Sequence, residues 1–284
     1  MMVNPALSSL ALWTPAGVWT NAAPSAQDSR ADLTPWSEAS SLSTIHPRAR
    51  RPHALAVALV QLAHVLLSAR EAAKDAPPVG RHEVDLLLGT LTGSAAADFE
   101  FYSGVQIRGT AFGSPSTFVY TLPTAALAEI ALALGVRGSL ATLTAGSIGG
   151  IASIAQSASR ISTGRARACI CGGVEFARID SGRASGSVEQ DVIALFLVEA
   201  ERASMRWPVI RDWQVGFAPP NPPFHRFSSM SPLSTLTALA SAAVRLGASS
   251  GVEEVFGSSS DGQWAKIILA SSQYLEKQLE SRSL

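Results

Sequence analysis

Apolar residues in this chain gather into short, strongly hydrophobic runs separated by stretches rich in glycine, serine and proline. Runs bounded by turn-formers read as buried strands, and longer runs with a three-to-four residue repeat read as helices. Residues 3–14 therefore read as a first strand, stopped by Pro15-Ala16-Gly17, and the polar Ala/Ser-rich segment to about His46 reads as an irregular loop. Residues 52–74 predict an apolar helix ended by Asp75-Ala76-Pro77-Pro78, and 85–90 (DLLLGT) a buried strand entering a Gly/Ser/Ala loop at 93–97. Residues 114–134 are mostly helical in pattern, with Pro123 breaking the helix near Thr121 because its ring displaces a backbone hydrogen bond. Strand 140–144 precedes a helix at 149–163 built almost wholly from Gly, Ala, Ser and Ile, a composition suited to a crowded centre. Further strands are expected at 167–173, 191–199, 209–216, 252–256 and 264–270, with an amphipathic helix at 232–246 and a surface helix or frayed tail at 272–284. Strongly apolar strands alternating with helices predict mixed sheets buried under helices on both faces.

Composition narrows the class. The 284 residues are 47% hydrophobic, enough for a large core, and only 15% charged, below the roughly 25% of ordinary soluble domains. That deficit points to a surface covered by a partner. Net charge is zero, with 22 basic and 22 acidic residues and no dense basic run beyond Arg48, Arg50 and Arg51, so a nucleic-acid partner is not expected. The segment 54–69 is too short and too polar for a membrane span, and the first residues lack a basic leader region, which leads to the expectation of a soluble, cytoplasmic protein.

The only cysteines, Cys169 and Cys171, lie two apart on a predicted strand. They share one face and cannot sensibly bridge to each other, so they read as buried thiols rather than a disulfide or a metal pair. His53 and His64 are eleven residues apart on one helix, about 16 Å along its axis, too far to share an ion. No metal and no cofactor is expected.

The most informative stretch is 138–175, GSLATLTAGSIGGIASIAQSASRISTGRARACICGGVE. It resembles the nucleophile segment of the β-ketoacyl synthases of the thiolase superfamily. Active members read roughly TACSSG at the strand-to-helix turn; here the same register reads TAGSIGG, with Ser147 in place of the nucleophilic cysteine. Other matches follow in order: the opening LSSLALWTPAGV, the segment 115–138 similar to the dimer-forming region, CGGVE at 171–175, 195–217 resembling the strand pair of the second half, and FGSSSDGQWAKIIL at 256–269 on the closing glycine loop. The resemblance implies one thiolase-like αβαβα sandwich over residues 1–284, made of two related halves, about 1–188 and about 189–271, the second shortened, with a tail at 272–284. It also implies an obligate dimer. In length and character the chain is similar to the short chain length factors of aryl polyene and type II polyketide synthases.

Condensation needs a thiolate that takes the acyl chain and donors that stabilise the enolate formed when malonyl loses carbon dioxide. Family members use a cysteine at a helix N-terminus with two histidines and a lysine. Between Ser147 and Gly262 this chain has one histidine, His225, and no lysine. Ser147 is therefore either an inert pocket residue or a nucleophile activated by His225, which otherwise is a loop histidine ahead of a helix. In the late glycine loop Ser260 stands where the family has a Phe whose backbone N–H serves the oxyanion hole, and Trp264 replaces an Asn. Phe112, Phe118 and Tyr120 either line a pocket across the dimer interface or pack the core, and Gly149 borders the same pocket. AGSIG around Ser147 approximates a hydrolase elbow, but its first glycine is Ala145 and no convincing Asp-then-His order is evident.

The expected role is a non-elongating, ketosynthase-like subunit that is not a catalyst alone. It would pair with an active ketosynthase, shape the pocket for a growing polyketide or fatty acyl chain, and meet an acyl carrier protein, with Arg48, Arg50 and Arg51 as weak docking candidates. The alternatives are an acyltransferase using Ser147 and His225, and a homodimeric acyl-binding protein.

Overall fold

The computed structural model describes residues 3–14, 17–20, 54–72, 78–91, 93–175, 192–201, 208–217, 236, 239–243, 245–246, 250–258, 263–271 and 273–274. Strands β1 (Pro5–Thr14) and β2 (Gly17–Thr20) form a hairpin, followed by helix α1 (Ala54–Ala72), strand β3 (Val84–Gly89), helices α2 (Ala95–Arg108), α3 (Pro115–Val119) and α4 (Ala125–Leu134), and strand β4 (Leu140–Leu143). Helix α5 (Gly149–Ser162) leads to β5 (Ala168–Glu175), β6 (Val192–Ala200), β7 (Val209–Phe217), β8 (Val252–Ser258) and β9 (Gln263–Ala270). Residues 236, 239–243 and 245–246 are helical ahead of β8.

The strands follow one path, β4-β3-β5-β6-β1-β7-β9-β8, with β2 attached to β1. Strands β3, β4 and β5 are parallel, while β6 and β1 join antiparallel, as do β7, β9 and β8. Only the pair Ala6↔Val209 joins β1 to β7. At that thin junction the path divides into a five-stranded part and a three-stranded part that face each other across α5. Strand β6 sits between β5 and β1, so the first part draws a strand from beyond residue 188.

The period of two along each strand sorts the core into two layers. Leu86, Leu88, Ile170, Leu195 and Leu197 point toward α1 and α4 and pack on Leu59, Leu62, Leu66, Leu127 and Ile130. Leu87, Cys169, Cys171, Phe196 and Val198 point the other way, onto Ile151, Ile154 and Ile161 of α5 and Leu239 of the helical segment. Ala265, Ile267 and Leu269 of β9 close that second layer from the opposite side. The described residues thus stack as helices, sheet, helices, sheet. Sandwiched between sheets, α5 is buried from Gly149 to Ala155 and can carry little bulk, which is the reason for its Gly, Ala and Ser content. A Cβ on Gly89 would lie 1.9 Å from the carbonyl carbon of Gly149, so strand and helix cross where neither has a side chain.

The expected elements that fall on described residues lie close to these bounds, and the break at Pro123 separates α3 from α4; the helix read at 232–246 is described in part, and the tail read at 272–284 lies outside the described residues apart from 273–274. Two expectations are corrected. The loop read after Gly17 begins with strand β2, whose four residues pair with Ala11–Thr14 and are too few to show a pattern of their own. The loop read at 93–97 runs into α2 at Ala95, a helix with Ala97 buried and its other described positions exposed or half-exposed, so no apolar stripe announces it.

Candidate functional site

Strand β4 ends against the start of α5 through a tight turn. The Thr90 N–H donates to the Leu143 carbonyl at 3.0 Å, continuing the β3–β4 ladder, and the chain then turns at Gly146, whose φ of 57° lies in the left-handed region that glycine tolerates. Gly146–Ile148 form one 3-10 turn, and α5 starts at Gly149 with no side-chain cap. Ser147 therefore sits at the positive end of the helix dipole, where an anion is favoured.

Its hydroxyl is already committed. Ser147 Oγ donates to the main-chain carbonyl of Ser258, the last residue of β8, at 2.9 Å. A carbonyl oxygen takes a hydrogen bond but cannot remove the proton, so this partner holds the serine in its hydroxyl form. Among the described residues around the turn, 89–91, 93–94, 143–150 and 257–258, none is ionisable. The hydrogen bond instead ties the first half of the chain to the end of β8, across 111 residues of sequence.

Gly149 is the first residue of α5, two positions after Ser147. His225 and Ser260, like Arg48, Arg50, Arg51 and His53, lie outside the described residues. The three aromatics differ in their surroundings. Phe112 is 64% and Phe118 57% exposed, whereas Tyr120 is half-buried, packs against the layer of α1 and α4, and donates its hydroxyl to Glu129 Oε1 at 2.8 Å. Phe118 meets Phe101 of α2 with ring centroids 5.4 Å apart. Near that pair in sequence are the exposed Phe99, Tyr102, Val119 and Leu122. The α2 aromatics escaped the sequence reading; the run Phe99-Glu100-Phe101-Tyr102 was their available signal.

This apolar surface continues to β4. Pro123 accepts a hydrogen bond from Thr142 Oγ1 at 3.3 Å, and Thr121 accepts one from Ser94 Oγ at 2.6 Å, so the link between α3 and α4 lies along the strand. Among the described residues β4 pairs only with β3 and ends the sheet path, with Leu140 43% exposed. The carbonyls of Ser139 and Leu143 point to β3. By alternation, Leu140 and Thr142 present their N–H and C=O groups to the open side.

The cysteine pair is a poor source of nucleophile. Cys169 and Cys171 are fully buried on one face of β5. Burial, with the Asp85 charge adding to it, pushes the Cys169 thiol up to about 12, and burial pushes Cys171 further in the same direction. Among the described residues no group of three His, Cys, Asp or Glu side chains is placed to hold a metal ion. No helix among them is long and apolar enough to cross a membrane.

The layered arrangement and the strand-to-helix turn at its centre define a thiolase-like fold of the ketosynthase type. Residues 36–188, just over half the chain, match the family model of the β-ketoacyl synthase N-terminal domain; the chain belongs to the β-ketoacyl synthase family. Solved structures share the fold. One is a chain of the AntDE:AntF assembly, described as a type II polyketide synthase acyl carrier protein in complex with its ketosynthase bound to the hexaketide, with TM-score 0.71 and 12% identity over 95% of this chain and 100% of that one. Another is the ishigamide ketosynthase/chain length factor, with TM-score 0.63 and 15% identity over 94% and 99%. A third is the noncanonical ketosynthase FabY from P. aeruginosa, with TM-score 0.62 and 11% identity over 85% of this chain and 60% of that one. No curated protein matches the chain in sequence.

Proposed function

We propose that this chain is a non-elongating ketosynthase subunit of the chain length factor type, which pairs with an active β-ketoacyl synthase and shapes the pocket in which its acyl or polyketide chain grows. The observation that carries this reading is the state of Ser147. The residue at the nucleophile position spends its only proton on a main-chain carbonyl and serves as a tie between the halves. Three further features support it. Among the described residues the β4 edge is unpaired, the strand is uncharged, the α2–α3 aromatics are exposed, and a chain of this build needs a cover for both. A strand added to β4 would extend the sheet across the interface and bring Phe112 and Phe118 toward the partner, where they can reach its pocket. The acyl carrier protein would then be met by the pair rather than by this chain alone.

The test is to produce the chain alone and together with a β-ketoacyl synthase encoded beside it, supply carrier protein loaded with acyl and malonyl groups, and follow both chains by intact mass spectrometry. The expected result is a stable heterodimer, acylation confined to the ketosynthase, and turnover unaffected by Ser147→Ala, which costs about 1 kcal/mol of stability for the lost hydrogen bond. An acyl adduct on this chain that disappears in Ser147→Ala and in His225→Ala would establish the acyltransferase reading in its place. A stable dimer of this chain alone that ignores the ketosynthase would favour an acyl-binding homodimer.

A further inference from the structure

The two ends of the parallel strands β3, β4 and β5 differ in charge. At the end that carries Ser147, residues 89–91, 93–94 and 143–150 hold no ionisable side chain and β5 ends on an acidic residue, Glu175. At the opposite end, Arg81 and His82 precede β3, Arg137 precedes β4, Arg165 and Arg167 precede β5, and Arg160 lies in the last turn of α5. The backbone gathers them: Arg137 N donates to the Arg81 carbonyl at 3.2 Å, Arg165 N to the Arg160 carbonyl at 2.8 Å, and Arg160 Nη2 to Ser139 Oγ at 2.9 Å.

Three carboxylates answer the five arginines. Glu71 takes Arg81 at 2.9 Å, Asp85 takes Arg160 at 2.6 Å, and Glu83 takes Arg167 at 3.2 Å. Arg137 and Arg165 remain, both exposed and without a carboxylate partner among the described residues. The basic side chains with permanent charge here are all arginine, whose planar fork binds a carboxylate through two parallel hydrogen bonds.

We propose that this end of the sheet is a docking surface for a carboxylate-rich face of a partner protein, with Arg137 and Arg165 as its two open forks. Interleaving decides the kind of partner. Glu71 and Glu83 stand among the arginines, and a phosphate polymer or an anionic membrane, which presents uniform negative charge, is repelled at those points. A protein surface with mixed charge can place its carboxylates on the forks and its own cations or polar groups on the glutamates. Helix α5, with 14 residues and thus about 21 Å long, separates the surface from Ser147, so the contact belongs to assembly and not to delivery of substrate.

The test uses the full chain and a fluorescently labelled helical peptide built from Glu, Ala and a few Lys, followed by anisotropy. Saturable binding is expected, falling with added salt and weakened about tenfold or more in Arg137→Glu/Arg165→Glu. Arg137→Lys/Arg165→Lys, which keeps charge but loses the forks, should lie between. Circular dichroism melts establish that both variants fold. Binding unchanged by the double reversal would overturn the proposal. So would tighter binding of phosphatidylglycerol vesicles or of duplex DNA than of the peptide, lost in the same variant.

Discussion

The sheet path has two open ends, β4 and β8, and they are guarded in opposite ways. β4 reads Leu-Ala-Thr-Leu, carries no charge and exposes Leu140. β8 reads Val-Glu-Glu-Val-Phe-Gly-Ser, and Glu253 is gripped by Arg245, whose Nε donates to Oε1 at 2.8 Å while Nη2 meets Oε2. Charged residues on an edge strand discourage another chain from pairing with it, and an uncharged edge invites pairing. The difference follows from the unequal halves. In the five-stranded part, β3 and β4 continue the sheet beyond β5; in the three-stranded part, nothing among the described residues continues it beyond β8. Among the described residues β8 is an edge where the longer part has an interior, and charge seals it. The longer half keeps the edge that the proposed partnership needs.

The largest expected effect comes from spoiling the inviting edge. Leu140→Pro removes an outward-facing N–H while leaving the bonds to β3, so it should abolish co-purification with the ketosynthase yet shift the chain's own unfolding by under about 1 kcal/mol. Size-exclusion chromatography with light scattering reads the first and urea unfolding the second; a heterodimer that survives would remove β4 from the interface.

The root of β4 is the next target. Asp85 accepts from the Ser139 N–H at 2.7 Å and from Arg160 Nε at 2.6 Å, so Asp85→Ala takes the carboxylate from a half-buried guanidinium and leaves a backbone donor unpaired. A loss of about 3 kcal/mol is expected in urea unfolding. An equal loss in Glu253→Ala would erase the distinction between the edges.

A third effect belongs to the interior that both edges share. The folded chain holds its thiols protonated, with Cys169 shifted from 9.0 to about 12, so above pH 9 the unfolded chain gains ionised thiolate that the native state cannot accept. Stability should be undiminished by this term below pH 9 and fall as pH rises toward 12, and Cys169→Ala/Cys171→Ala should flatten that fall in thermal melts. The smallest effect is expected at the sealed edge. Glu253→Thr/Glu254→Thr removes an exposed ion pair worth about 1 kcal/mol or less, but should raise self-association in dynamic light scattering.

Much of this was legible from sequence because burial is nearly complete where the chain is most regular. Val84–Gly89 is buried at every position, and a strand enclosed on both faces can hardly be written in other residues. The small-residue helix after Ser147 announced its central place in the same way. The turn itself was readable as a nucleophile position without a nucleophile, but not the direction of its hydroxyl, which depends on Ser258, far off in sequence. Helix α2 escaped for the opposite reason: it leans on little, so its pattern records no buried face. The arginine surface was equally hidden, since its members come from 81 to 167 and meet only when three strand starts are laid side by side.

The sealed thiols have a practical consequence. With Cys169 and Cys171 at zero exposure and no other cysteine in the sequence, the native protein offers no reactive sulfur to a solution reagent. A single cysteine placed at position 140, 118 or 137 would be the sole site of labelling, so a probe for distance, protection or cross-linking can be set on either surface without first removing anything from the wild-type chain.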